Sequence, residues 1–156
     1  MSSRGWTVGP VLDLDGSPHF DLKALKFLSW MLFMVEQGRL DSYLVAPPCT
    51  SFSPAQYPSL RSYQCPRGHD PREPRTLNGT TLALRALVVM MVAAVCGVIG
   101  LLEQPRRSKM AWLREWRRLI EVFGAQETHL ASCNFESIHQ KEFRFSTTHA
   151  PVTILT

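Results

Sequence analysis

The chain has 156 residues, of which 45% are hydrophobic and 19% charged, and it carries a formal net charge of +4. That composition excludes a disordered tail or a fibre, and the length suits one domain around one sizeable core. The positive balance fits a polyanionic partner without requiring one. Cys49, Cys65, Cys96 and Cys133 show no paired spacing, and Met1 to Pro10 lacks the apolar core of a secretory signal. Free thiols in a reducing compartment follow, so we expect an intracellular, soluble protein and no disulfide framework.

In chain order, Val8 to Leu14 reads as a short strand that runs into the turn cluster Asp15-Gly16-Ser17-Pro18. Asp21 is placed to cap a helix over Leu22 to Gln37, ended by Gly38. Leu25, Leu28, Leu32 and Val35 form one apolar row of that helix and Phe27, Met31 and Met34 the next, so it should be largely buried. Ser42 to Ala46 suits a central parallel strand, stopped by Pro47-Pro48, which cannot continue a ladder. Residues 53–79 form a long basic loop punctuated by Pro54, Pro58, Pro66, Pro71 and Pro74 and carrying Arg61, Arg67, Arg72 and Arg75. A helix is expected from Thr80 or Thr81 to Cys96, broken by Gly97, and then a buried strand over Val98 to Leu102. Arg106 to Phe123 has the pattern of an amphipathic helix with Trp112, Leu113, Trp116, Leu119 and Ile120 inward. Strands are expected over Thr128 to Cys133 and, from the alternation Phe-Arg-Phe-Ser, over Phe143 to Thr148.

Strands and helices alternating in this order imply an α/β fold, an open and mostly parallel sheet with helices on both faces, as a single domain over 1–156. Chemistry in such sheets gathers at the carboxyl ends of strands. Asp13, the segment Pro47 to Ser53 and the run Glu103-Gln104-Pro105 occupy those ends. The uncharged stretch Ala86 to Leu102 is at the lower edge of membrane-spanning length, but Gly97, Gly100, Arg85 and Glu103 favour a buried helix followed by a buried strand. No membrane partner is therefore expected.

Cys49 follows a buried strand on a loop that continues Thr50-Ser51-Phe52-Ser53, where backbone amides can favour the thiolate, the nucleophilic form. Glu103 ends an adjacent apolar run, so that its carboxyl group can hold a proton or a base near the thiol. By itself a lone cysteine is more often an inert buried residue, and Glu103 a solvated strand end. The basic run Arg106, Arg107, Lys109, Arg114, Arg117 and Arg118, opposed only by Glu115, suits either a phosphate backbone or the solvated face of a helix. The spacings Cys65 to His69 and His129 to Cys133, with His139 nearby, raise a zinc site as an alternative, but like ligands are not paired and no metal is expected. His19, His149 and the pair Met90-Met91 read as structural or surface residues, and Cys96 as an inert thiol facing the helix interior.

The order and wording of these segments resemble cytosine-5 DNA methyltransferases over roughly residues 5 to 150. Val45-Ala46-Pro47-Pro48-Cys49-Thr50-Ser51-Phe52-Ser53 is similar to their Pro-Cys-x-x-Phe-Ser loop. Leu102-Glu103-Gln104-Pro105 is similar to their Glu-Asn-Val or Glu-Asn-Pro element, with Gln104 in the place of Asn. Gln140-Lys141-Glu142-Phe143-Arg144 resembles Gln-x-Arg-x-Arg, with Glu142 where the first Arg belongs. Gly9 to Asp13 and Phe20 to Leu22 resemble the donor-binding half of short, divergent members.

The resemblance implies a Rossmann-like methyltransferase core, incomplete here, with S-adenosylmethionine as methyl donor and DNA as partner. Cys49 would attack carbon 6 of a flipped-out cytosine, since that atom is shielded in a stacked duplex. Glu103 would hold the ring nitrogen and exocyclic amine, and Arg144 the base or the adjacent phosphate. Asp13 would meet the donor's ribose hydroxyls and Asp21 its adenine amine, with Pro47 in the donor site and Pro48 stiffening the loop. Ser53, Arg106, Arg107, Lys109 and Gln140 would contact DNA, in the nucleus if the source is eukaryotic. The first strand and its Phe-x-Gly-x-Gly donor loop would precede residue 5, so an upstream segment or a partner chain is expected to supply them.

Overall fold

The computed structural model describes residues 7–131 and 142–149. Helix α1 covers Leu25–Glu36, strand β1 Ser42–Val45, helix α2 Pro74–Cys96, strand β2 Ile99–Pro105, helix α3 Arg114–Glu121, strand β3 Gln126–Ala131 and strand β4 Glu142–Thr147. The strands form a mixed sheet in the order β1-β2-β4-β3, in which β1 and β2 run parallel while β4 is antiparallel to both β2 and β3. The class is mixed α/β, as expected, but the expectation of a mostly parallel sheet is corrected: one of three pairings is parallel.

The register fixes which side chains share a face. Val45, Leu102, Ser146 and Glu127 form one row across all four strands. Tyr43 with Gly100, and Gln104 with Arg144 and His129, form the rows on either side of it. This face meets the helices. Leu102 joins Phe52, Leu87, Met90, Met110, Leu113, Trp116 and Leu119 in the main core, with Tyr43 and Val45 packed against it. A smaller cluster joins α1 to α2 through Val35, Val89 and Ala93, again with Tyr43 at its edge. The opposite face carries Leu44, which is 59% exposed, and the half-buried Leu101, Glu103, Phe143 and Phe145. Among the described residues all three helices pack on one face, which corrects the expectation of helices on both.

Several boundaries differ from the sequence reading for identifiable reasons. Val8 to Leu14 joins no sheet, and Val8 and Val11 are 81% and 86% exposed. α1 starts one turn late, because Asp21 spends its carboxylate on the Lys23 amide (2.8 Å) in a preceding turn. It is also less buried than its apolar rows suggest, with Leu25, Trp30 and Phe33 exposed. α2 starts six residues early: the Glu73 carboxylate accepts from the Thr76 amide at 2.7 Å and Pro74 takes the first helical position, where its missing N–H costs nothing. Gly97 ends α2 in the left-handed conformation (φ 75°), as expected. The 106–123 helix is divided, with a tight 3-10 turn at Lys109–Trp112 before α3. Its cap is Ser108, whose hydroxyl accepts from the Met110 amide at 3.3 Å. Trp112, expected inward, is 45% exposed, and Cys96 is exposed as well.

By length and composition α2 can cross a membrane. In the fold it is the central core helix, burying Ala83, Ala86, Leu87, Val89, Met90 and Ala93 against α1, α3 and the sheet.

Candidate functional site

Parallel pairing from Ser42↔Ile99 to Val45↔Leu102 brings the carboxyl ends of β1 and β2 side by side. The chain leaves β1 through the buried Pro47, and the Pro47 carbonyl accepts a hydrogen bond from Gln104 Nε2 at 2.8 Å. Gln104 is 2% exposed, and its Oε1 accepts from Ser108 Oγ at 3.0 Å. One buried amide therefore ties the start of the Pro-Pro-Cys loop to β2 and to the cap that follows it. Such a bond is expensive to lose, because either group left alone would be buried without a partner.

Cys49 is half-buried and has a free thiol. Its carbonyl accepts from the Phe52 amide at 2.9 Å, opening a 3-10 turn at Thr50–Phe52 in which Ser51 and Phe52 are buried. That turn is gripped from behind by Arg61. The Arg61 side chain, 1% exposed, donates from Nε to the Ser51 carbonyl (3.1 Å) and from Nη2 to Ser51 Oγ (3.1 Å). It also reaches the Thr76 carbonyl (2.7 Å), the Pro66 carbonyl (2.8 Å) and Thr80 Oγ1 (2.9 Å). Its guanidinium lies 3.8 Å from the centroid of the Phe52 ring. Desolvation pulls the Arg61 pKa down to about 10, against the opposing pull of Glu73 and Cys65. It therefore stays cationic at neutral pH. The planar fork is what allows one side chain to hold three chain segments. Gly79 lets α2 approach this closely: a Cβ there would sit 2.1 Å from Ser51 Oγ and 3.1 Å from Arg61 Nη2.

Glu103 and Arg144 are both at this end of the sheet but in different rows. Glu103 pairs with Phe145, whereas Arg144 pairs with Gln104, so the two side chains leave the sheet on opposite faces. Burial among apolar neighbours pushes the Glu103 carboxyl above the ordinary glutamate range. Arg144 faces the helices and lies 3.7 Å from Glu127 Oε1. Among the described residues no hydrogen bond or ion pair joins Cys49, Glu103 and Arg144 to one another.

The other residues singled out by sequence are spread more widely. Asp13 accepts from the Asp15 amide (3.1 Å) and Asp21 from the Lys23 amide, both within local turns and not at a strand end. Ser53 caps the Ala55 amide at 3.1 Å. Arg107 is exposed, and Arg106 pairs with Glu142 at 2.9 Å. Lys109 is 7% exposed and donates to Ser59 Oγ at 3.0 Å, so its ammonium braces the long loop from within. Gln140, like Cys133 and His139 of the zinc alternative, lies outside the described residues. Cys65 Sγ donates to the Gly68 carbonyl at 3.0 Å, and among the described residues no three His, Cys, Asp or Glu side chains come together.

Sequence reasoning missed Arg61, Gly79, Tyr63 and the exposure of Trp112. Arg61 stands among three other arginines of a proline-rich stretch, and only the fold separates it from them. Comparison of the chain with protein-family models, with curated proteins and with solved structures gives no match in any of the three.

Proposed function

We propose that this chain is a divergent cytosine-5 DNA methyltransferase-like domain with an incomplete Rossmann-like core, in which Cys49 attacks carbon 6 of an extruded cytosine. The observation that carries this reading is the Gln104–Pro47 hydrogen bond, which fastens the Pro-Pro-Cys loop to the strand bearing Glu103. Two segments far apart in sequence, each resembling an element of that family, are thereby held at one end of the sheet. Pro47 and the Arg61 clamp restrict the loop from both ends, the kind of positioning a nucleophile needs. The Glu103 carboxyl, raised by burial, is suited to holding a proton against a ring nitrogen. S-adenosylmethionine would supply the methyl group, with the donor cradle provided by a segment upstream of the described residues or by a partner chain.

The chemistry permits a test that needs no donor. Addition of the Cys49 thiolate to carbon 6 moves an electron pair to carbon 5, which takes a proton from water. Loss of the original carbon-5 hydrogen and cleavage of the C–S bond then restore the ring. An oligonucleotide tritiated at carbon 5 of cytosine should release tritium to water, and Cys49→Ser should abolish the release. No release from single-stranded or duplex substrate by the intact chain overturns the reading. The opposed directions of Glu103 and Arg144 favour a second one, a nucleic-acid-binding domain of the same ancestry without turnover. Oligonucleotide binding retained by the intact chain, with no tritium release and no effect of Cys49→Ser on that binding, would select it.

A further inference from the structure

Two adjoining clefts of about 480 and 290 Å³, neither lined by Cys49, share Tyr63 and Trp112. Their sizes are in the range of sites that take small organic groups. The two rings are 46% and 45% exposed, with centroids 5.2 Å apart and planes tilted by 59°. Two exposed rings in contact form a contiguous apolar surface, and such a surface rimmed by polar groups marks an interaction site where a lone exposed ring does not. The Arg117 guanidinium lies 5.1 Å from the Trp112 centroid.

The walls are cationic. Arg67, Arg114 and Arg117 line the larger cleft, and Arg106, Arg107, Arg144 and His129 the smaller. Neither wall contains an acidic residue. Of these arginines, Arg67 is paired with Glu115, Arg106 with Glu142 and Arg144 with Glu127, while Arg107, Arg114 and Arg117 make no ion pair among the described residues. The buried Arg144 Nε has no acceptor among them either. The platform is also built to stay in place. Tyr63 comes from the long loop and Trp112 from the 3-10 turn; the half-buried Lys109–Ser59 bond joins these two segments, and the Arg67–Glu115 pair ties the loop to the start of α3.

We infer that the Tyr63–Trp112 cleft binds single-stranded nucleic acid, with unstacked bases on the two rings and phosphates along Arg107, Arg114 and Arg117. Exposed rings between unpaired cations match a strand that offers base faces and phosphates alternately. A duplex keeps its base faces stacked on one another and has nothing to place on the rings. An acidic peptide matches the arginines but not the tilted aromatic pair. This inference rests on the nucleic-acid half of the preceding reading and is independent of Cys49.

The experiment is a fluorescence-anisotropy titration of the full chain with end-labelled 12-nucleotide DNA, RNA of the same sequence, the corresponding blunt duplex and polyglutamate. Single strands should bind more tightly than duplex, and the preferred strand identifies DNA or RNA as the source. Trp112→Ala and Tyr63→Ala should each weaken single-strand binding roughly 5- to 150-fold, and Trp112→Phe by less. Circular dichroism checks that each variant is folded, and quenching of Trp fluorescence lost in Trp112→Phe provides a readout that does not depend on the alanine variants. Duplex or polyglutamate binding as tight as single strands, or single-strand binding indifferent to both rings, overturns the inference. Binding that needs the rings without any tritium release would sink only the Cys49 chemistry. Tritium release with binding untouched by Trp112→Ala would sink only the cleft.

Discussion

Arg61 shows how far one side chain can decide the shape of a loop. Its guanidinium makes five hydrogen bonds to Ser51, Pro66, Thr76 and Thr80 and covers the Phe52 ring. A lysine ammonium is a point donor that cannot span those acceptors, and the carbonyls left behind would be buried and unmet. Arg61→Lys should therefore destabilise the protein by ~2–4 kcal/mol, read as a lower denaturation midpoint at unchanged slope. Gly79→Ala tests the same contact from the helix side. In an ordinary helix interior that change stabilises by up to about 1 kcal/mol. Here the new Cβ meets Ser51 Oγ at 2.1 Å, so the sign should reverse, with a loss of about 1–3 kcal/mol. Ser51→Gly in the same chain should recover part of it, and simple additivity in the double variant would contradict the contact. None of this was legible beforehand. Arg61, Arg67, Arg72 and Arg75 look alike in sequence, yet the first is buried and the other three are exposed.

At the scale of elements, what the sequence made plain was periodicity, and what it hid was capping and division of labour along a strand. β1, β4 and the end of α2 at Gly97 lie where alternation, apolar runs and glycine place them, whereas β2 runs past the expected Leu102 through Glu103, Gln104 and Pro105. The start of α2 was hidden because Pro74 reads equally as loop punctuation and as a first helical residue, and only the Glu73 carboxylate on the Thr76 amide decides. Adjacent residues of β2 show the second point. Gln104 turns into the helix-covered face to hold Pro47, while Glu103 turns to the other, and its proton affinity is raised by burial. A carboxyl group that binds its proton more tightly when folded favours the native state at low pH. Its contribution is full below the unfolded glutamate value and is lost as pH rises through the raised folded value. Glu103→Gln should therefore flatten the stability profile across that window and leave the variant more stable than the parent at neutral pH. Chemical denaturation between pH 4 and pH 7 checks this, and parallel profiles for the two proteins would show that Glu103 titrates as it does in the unfolded chain.

The whole molecule is organised around α2, and that ties the candidate site to global stability. Leu87 and Met90 lie in the main core with Leu102 and Trp116, while Val89 and Ala93 of the same helix lie in the smaller cluster with α1. The first turns of α2 also carry Thr76, Gly79 and Thr80, the groups that receive Arg61 and the Cys49 turn. A helix that serves both clusters and the loop cannot lose one while keeping the others, so unfolding should be a single cooperative transition. Leu87→Ala, at a fully buried position, should cost ~2–5 kcal/mol. It should also shift the far-ultraviolet helix signal and the tryptophan fluorescence by the same amount. Thiol reactivity supplies the link to the site. The exposed Cys96 should react with a thiol reagent in the native state, whereas the half-buried Cys49, at the start of the Arg61-clamped turn, should react more slowly. If the loop is coupled to α2, Leu87→Ala should accelerate Cys49 labelling by the factor that its stability loss predicts, while leaving Cys96 unchanged. A Cys49 rate indifferent to Leu87 would mean that the loop opens on its own, and that the clamp is a local contact with no share in the global fold.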